Sequence, residues 1–157
     1  MISQDKSLSN KAGVFSFVLM LLWAGILIGV SFMATPIKFQ APTLTLGPAL
    51  DVGRHTFALL NKVEWGLFIL TVISGLWAHN HSRNLTVFFA LLISILAFQT
   101  FYLLPVLNER VQLIIDGSTP APSYSHTIYA VLELVKLVLL LSKSLRAITR
   151  NSRESLY

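Results

Sequence analysis

The sequence predicts an all-α fold, a four-helix transmembrane bundle built from two tandem two-span repeats. Of its 157 residues, 54% are hydrophobic and only 12% are charged, whereas a soluble domain usually carries about 25% charged residues. A short series of matched residues in the two halves predicts the repeat. We expect one membrane domain, 1–157, with a first repeat at 13–78, a second at 84–146 and a basic cytoplasmic tail at 147–157.

Four apolar blocks account for the hydrophobic excess, at 14–34, 59–78, 85–107 and 127–141. Crossing a hydrocarbon core takes roughly 20 residues of helix. The bilayer offers no water to backbone groups, and these Leu-rich blocks are longer than barrel strands and do not alternate, so each is predicted to be a helix. The fourth block is the shortest and contains Glu133 and Lys136, which makes it the weakest of the four by hydropathy.

The distribution of positive charge predicts the orientation. With four spans, seven basic residues fall on the side of the termini and three, Lys38, Arg54 and Arg110, fall on the other side. Positive residues are enriched in cytoplasmic segments of membrane proteins. The sequence therefore predicts a multi-pass protein of the bacterial plasma (inner) membrane with both termini in the cytoplasm. We attribute the net charge of +5 to these orientation-determining basic residues, and we expect no nucleic-acid partner.

The two halves of the chain share an ordered set of residues. Phe32 and Pro36 match Phe101 and Pro105 at a constant offset along the chain, and Glu64 matches Glu133 at the same offset. We call this distance in sequence the repeat offset. A His-Thr pair precedes each glutamate, at 55–56 and 126–127. Because each unit has two spans, the copies would be related by a pseudo-two-fold axis along the membrane normal.

Polar residues within the spans mark a candidate ligand-binding site. Ionisable residues in a span usually face the bundle interior or a water-filled cavity, and helical spacing groups several of them on single helix faces. We therefore predict a polar centre that opens toward the outer face and binds a small ligand. Its candidate residues are Asn61, Glu64, Gln99, Tyr102, Tyr129, Glu133 and Lys136.

A metal site is the most specific form of this hypothesis. His55, His126, Glu64 and Glu133 offer the ligand types that divalent transition metals accept. A haem held by His55 and His126 is a weaker variant. The Glu-x-x-His spacing of di-iron bundles is absent. His55 and Glu64 are nine residues apart, on opposite sides of an ideal helix, so His55 either precedes the helix or follows a bulge.

A structural role is the alternative for the same residues. Glu133 and Lys136 are three residues apart and can pair within one helix. Glu64 can be protonated or can bond to Asn61 or Gln99, and such polar contacts hold spans together.

The loops on the outer side carry helix-breaking residues. Pro42, Gly47, Pro48 and Gly53 are expected to interrupt the first loop, at 35–58. In the second loop, 105–117 has apolar residues at helical spacing and ends at Asp116-Gly117, which predicts a short amphipathic helix lying on the membrane.

Three stretches carry a family resemblance. They are 29–39 (GVSFMATPIKF), 51–57 (DVGRHTF) with Glu64, and 104–110 (LPVLNER) with His126, Tyr129 and Glu133. They resemble a group of uncharacterised bacterial four-span membrane proteins that is distantly similar to the anthrone-oxygenase-like membrane proteins. The resemblance covers most of the chain and implies a four-helix membrane bundle, but it implies no activity and assigns no catalytic residue.

Three functions stay open from the sequence. The first is binding of a small ligand or metal ion, with an oxidoreductase as one form of it; the second is a proton or cation carrier or channel component; the third is a non-catalytic assembly protein. Cysteine is absent, and no nucleophile elbow, phosphate loop or dinucleotide fingerprint occurs. The expected partner is the lipid bilayer, and self-association into a homo-oligomer is left open.

Overall fold

The computed structural model describes residues 2–78 and 83–154, and the side chains within 11–78 and 83–145. The regular structure in this part of the chain is helical throughout, which confirms the all-α prediction. In chain order it comprises α1 (Ile2–Leu27), a first π-helix (Ile28–Ala34), α2 (Thr35–Lys38), α3 (Leu46–Trp77), α4 (Arg83–Phe98), a second π-helix (Gln99–Leu103), α5 (Leu104–Ile115) and α6 (Ser125–Glu154).

Three helical stretches are long and apolar enough to cross a membrane: Lys11–Lys38, Leu46–Trp77 and Arg83–Ile115. Their outer faces carry large apolar side chains such as Phe15, Leu22 and Ile69, each about half exposed. Apolar surface on this scale is typical of contact with lipid. The fourth predicted span, in α6, is not among the three. Glu133 and Lys136 interrupt its apolar sequence.

The long helices form a ring with a polar middle. α1 packs against α3 and α6, α3 packs against α4 and α5, and α4 and α5 pack against α6. α3 and α6 therefore lie diagonally across the bundle, and their side chains meet in its centre. We call the end of the bundle where α3 begins and α5 ends the distal end.

α3 begins well before the predicted second span. It starts at Leu46 rather than 59, so most of the predicted first loop is helical. Pro48 lies in its first turn, where proline is tolerated because the backbone N–H has no partner within the helix. Gly53 faces the Lys38 ammonium, which occupies the space a Cβ would need. Of the expected breakers, Pro42 lies in the turn before α3, whereas Gly47, Pro48 and Gly53 do not interrupt the helix.

The third span and the predicted amphipathic helix are one continuous helical stretch, Arg83–Ile115. Pro105 lies in the first turn of α5, and the residue before that helix, Leu103, keeps a helical backbone conformation. The helix stops at Asp116, and Gly117 follows with φ of 83°. This left-handed conformation is the one that glycine adopts readily at a helix end.

The two π-helices end at positions separated by the repeat offset, Ala34 and Leu103, and each is followed within two residues by proline. Single π-helical turns inside longer helices occur frequently at functional sites. Next to them the core is apolar and tightly packed, with Leu27, Leu92, Leu96 and Leu140 fully buried.

Candidate functional site

The centre of the bundle holds three fully buried charged side chains, Glu64, Glu133 and Lys136, which we call the charged triad. The Lys136 ammonium donates to Glu64 Oε1 and also to Glu133 Oε1, at 3.0 Å. The pair with Glu133 lies within α6, at a spacing of three residues, and the pair with Glu64 joins α6 to α3. The ammonium therefore links the two glutamates across the bundle.

Neutral donors from the other helices also bond to the two carboxylates. Trp23 Nε1 on α1 donates to Glu64 Oε1 at 3.0 Å. Gln99 Nε2, at the start of the second π-helix, donates to Glu133 Oε1 at 2.9 Å. Ser31, on the first π-helix, places its hydroxyl 3.5 Å from Glu133 Oε2. All the long helices thus contribute to the environment of the triad.

A second chain of hydrogen bonds runs beside the triad. Trp65 Nε1 donates to Thr100 Oγ1 at 2.9 Å, and Thr100 Oγ1 lies 2.7 Å from the Leu96 carbonyl and 3.0 Å from Asn61 Oδ1. The single hydroxyl proton serves only one of these two acceptors. The three contacts of Thr100 become consistent if the oxygen and nitrogen of the Asn61 amide exchange positions. The Asn61 NH₂ group then donates to Thr100 Oγ1, and the Thr100 hydroxyl donates to the Leu96 carbonyl.

Four buried polar atoms around the triad have no hydrogen-bond partner among the described residues. They are Asn61 Nδ2, Glu64 Oε2, Gln99 Oε1 and Tyr129 OH. The Tyr129 hydroxyl lies near the Glu133 carboxylate but does not form a hydrogen bond of regular geometry with it. Buried polar atoms are normally paired, so a water, proton or small ligand placed here would have donors and acceptors available to it. We call the triad and the polar side chains around it the central polar cluster.

Aromatic side chains separate this cluster from the distal end. The Phe57 ring packs against Tyr129, with a centroid distance of 4.9 Å, and edge-on against His126 at 6.3 Å. The Lys38 ammonium lies 5.7 Å from the centroid of the same Phe57 ring. Lys38, His126 and Tyr129 therefore all lie around the Phe57 ring.

Five of the seven predicted ligand-binding residues lie together in the cluster: Asn61, Glu64, Gln99, Glu133 and Lys136. Tyr129 is buried next to them. Tyr102 is not part of the cluster, because its side chain is 58% exposed and stacks on Phe98 at 5.3 Å. A π-helix needs more residues per turn than an α-helix, so Tyr102 is rotated away from the face that carries Gln99.

The four residues of the predicted metal site do not come together. His55 lies inside α3, its side chain is 73% exposed, and its Nδ1 is 2.9 Å from the Asp51 carbonyl oxygen. His126 packs on Phe57, while the two glutamates share the Lys136 ammonium. Among the described residues, no group of three or more His, Asp or Glu side chains is arranged to hold a metal ion. The predicted ligand set is therefore not assembled among the described residues, and the haem variant stays a prediction.

Thr100 and Trp65 belong to the cluster although the sequence reasoning did not select them. Thr100 follows Ser31 at the repeat offset, and each of these hydroxyl residues immediately precedes the matched phenylalanine. That match was the signal that could have identified Thr100. Trp65 has no comparable signal, since a tryptophan in a span is most often an ordinary packing residue.

Comparison with known proteins gives no relative for this chain: no family model, no curated protein and no solved structure matches it. The resemblance to bacterial four-span proteins therefore stays a prediction. Function is inferred from the geometry of the central polar cluster.

Proposed function

We propose that this chain is an integral membrane protein of four spans whose charged triad binds one proton, as the intramembrane site of a proton-coupled carrier. The observation that carries the proposal is the charge of the triad. Two carboxylates share one ammonium, so the fully ionised triad has a net charge of −1 in a fully buried site. A net charge is costly in this environment, and one added proton removes it.

The environment of α6 supports its role as the fourth span. Its charged side chains at Glu133 and Lys136 are turned inward and pair with each other. Its outward face carries exposed apolar side chains, which are Ile128, Val131, Leu134, Val135, Val138, Leu141 and Leu145. Such a helix presents lipid with an apolar surface although its sequence contains charges. We therefore propose that all four long helices contact the lipid of the bilayer.

The backbone supports the proposed tandem repeat. The ends of the two π-helices are separated by the repeat offset, and helices α3 and α6, which carry the matched glutamates, are diagonal in the ring. A two-fold axis along the bundle would place equivalent helices in this way. The hydroxyls of Ser31 and Thr100 also make equivalent contacts, each reaching the glutamate-bearing helix of the other half.

The charge distribution supports the proposed orientation in a bacterial inner membrane. Both termini would be cytoplasmic, and the distal end, with Lys38 and His126, would face outward. The charges at Lys6 and along the basic tail belong to side chains outside the described ones, so this part of the proposal depends on the sequence. A reporter enzyme active only in the periplasm, fused after Tyr157, should be inactive; an active fusion would contradict the orientation.

A second candidate function is the binding of a small polar molecule in the central polar cluster. The four unpartnered atoms favour it, because they include hydrogen-bond donors and acceptors on three helices. In this form of the proposal, proton uptake by the triad would accompany binding of the molecule.

Proton flux into liposomes that contain the purified protein tests the main proposal. With an imposed pH gradient and a dye enclosed in the liposomes, we expect faster pH equilibration than in protein-free liposomes. Glu64→Gln and Glu133→Gln should each remove the added flux, because each removes an ionisable carboxylate from the triad. Glu109→Gln makes the same chemical change at an exposed position and should retain the wild-type rate.

Two results would contradict the proposal. Wild-type protein that adds no flux, or glutamine variants that conduct as well as wild type, would contradict proton transfer by the triad. Thermal unfolding of each variant in detergent is the control, since a lost flux counts only for a protein that is still folded.

A further inference from the structure

The two glutamates of the triad are bonded unequally. Glu133 has contacts on both carboxylate oxygens: Gln99 and Lys136 donate to Oε1, and the Ser31 hydroxyl lies 3.5 Å from Oε2. Glu64 receives both of its donors, Trp23 and Lys136, on Oε1. Its Oε2 atom is buried and has no partner among the described residues.

This inequality distinguishes a carboxylate from a carboxylic acid. An ionised carboxylate oxygen that is buried without a donor is strongly destabilised, whereas the hydroxyl of a protonated carboxyl is neutral and acts as a donor itself. Glu133 therefore has two donors on one oxygen and a longer contact with a hydroxyl on the other. Glu64 has its donors on one oxygen and a free second oxygen that can carry a proton.

An acceptor for that proton exists in the same cluster. Gln99 Oε1 is a buried acceptor without a donor, and Gln99 already contacts the triad through its NH₂ group. A proton on Glu64 Oε2 would supply a donor for Gln99 Oε1 through one bridging water.

We propose that the exchangeable proton of the triad resides on Oε2 of Glu64, while Glu133 stays ionised and holds Lys136. The step is a simple protonation: an O–H bond of a hydronium ion at the distal end breaks and leaves water, an O–H bond forms at Glu64 Oε2, and the charge of the triad changes from −1 to 0. The titratable groups that face Glu64 are Lys136, Glu133 and Tyr129, all on α6, whereas α1 contributes the neutral Trp23. The inference depends on the proposed proton-binding function and adds the atom that carries the proton.

Infrared difference spectroscopy on the full-length protein in lipid tests the assignment. A protonated carboxyl gives a C=O stretching band separate from that of a carboxylate, and the band disappears when pH is raised through its titration. We expect wild type to show one titrating band from a buried, slowly exchanging carboxyl. Glu64→Gln should abolish this band and Glu133→Gln should retain it. Glu64→Asp should shift its frequency, and Glu133→Asp should leave the frequency unchanged.

The outcomes separate the inference from the function on which it depends. A band retained in Glu64→Gln, or lost in both glutamine variants, overturns the assignment to Glu64 but leaves proton binding by the triad intact. Wild type without a titrating buried carboxyl overturns both. The aspartate pair keeps the test decisive if a glutamine variant fails to fold, because each aspartate retains a carboxyl and a negative charge.

Discussion

The two halves of the chain have a similar order of helical elements and different polar side chains. In each half a long apolar helix passes into a π-helix, a proline follows within two residues, and the next long helix carries a buried glutamate. The polar inventory differs. Lys136, Gln99 and Tyr129 belong to the second half, and the positions that match them in the first half hold Leu67, Val30 and Leu60.

The first half contributes its own unmatched polar groups. Trp23 and Asn61 belong to the central polar cluster, while the matching positions of the second half hold Leu92 and Ala130. One helical framework therefore holds two carboxylates in related positions and gives each a different set of donors. The positions of the helices thus depend on an apolar pattern to which many residues contribute. The hydrogen bonding of the central polar cluster depends instead on a few side chains, each present in only one half.

Removing the only ammonium of the triad should have the largest effect. Lys136→Leu leaves two buried carboxylates without their cation, and breaking a buried ion pair in this way destabilises a protein by about 3–5 kcal/mol. Unfolding by denaturing detergent in mixed micelles measures the loss. Lys62→Leu, at an exposed position, is the matched control and should stay within about 0.5 kcal/mol of wild type.

The same variant offers a test of the relation between the halves. Adding Leu67→Lys to Lys136→Leu supplies an ammonium from the equivalent position of the first half, and we expect it to restore part of the lost stability. A double variant no more stable than Lys136→Leu would contradict the proposed two-fold relation.

Trp23→Phe should have the next largest effect. It keeps most of the packing but removes the indole N–H that bonds to Glu64, and a hydrogen bond to a charged group contributes about 1.5–3 kcal/mol. The loss should shrink when the substitution is made in Glu64→Gln, because the partner charge is then already absent. Equal losses in the two backgrounds would show that Trp23 acts through packing alone.

The matched hydroxyls should differ in importance. Thr100→Val removes a group that contacts Trp65 and Asn61 and leaves both of these polar partners unsatisfied, at a cost of about 1–3 kcal/mol. Ser31→Ala removes only a contact at 3.5 Å and should change the free energy of unfolding by about 0.5 kcal/mol or less. If the two variants lose the same stability, the halves are more alike than their contacts indicate.

The smallest effect is expected at His55. Its side chain is exposed, so His55→Ala should change stability by about 0.5 kcal/mol or less. Adding Zn²⁺ or a chelator should leave the unfolding temperature of wild type unchanged. A rise with Zn²⁺ that disappears in His55→Ala would revive the metal hypothesis.

Much of the centre could be predicted from sequence because of the energetics of the bilayer. Charged residues in an apolar block avoid lipid and face the bundle interior. The inward positions of Glu64, Glu133 and Lys136 could therefore be predicted from hydropathy and helical spacing. The i, i+3 pairing of Glu133 with Lys136 also followed from spacing, and the structure confirms it.

Other features depend on interactions that the pattern does not reveal. The start of α3 at Leu46 was missed because Gly and Pro are breakers only where the backbone needs another conformation, and here they lie in a first turn or face Lys38. The outward position of Tyr102 follows from the second π-helix, whose extra residue per turn has no marker in composition. The ion pair between Lys136 and Glu64 could not be predicted from the sequence, because it depends on α3 and α6 lying diagonally across the bundle.

The charged triad also has a consequence for the order in which the helices enter the membrane during synthesis. α3 and its Glu64 emerge from the ribosome before Lys136, so an acidic partner for the lysine already exists when α6 is made. α6 carries two charged residues in its apolar sequence, Glu133 and Lys136, and its lysine also pairs with a carboxylate in another helix. We therefore expect α6 to enter the bilayer as a companion of the first three helices and not as an independent segment.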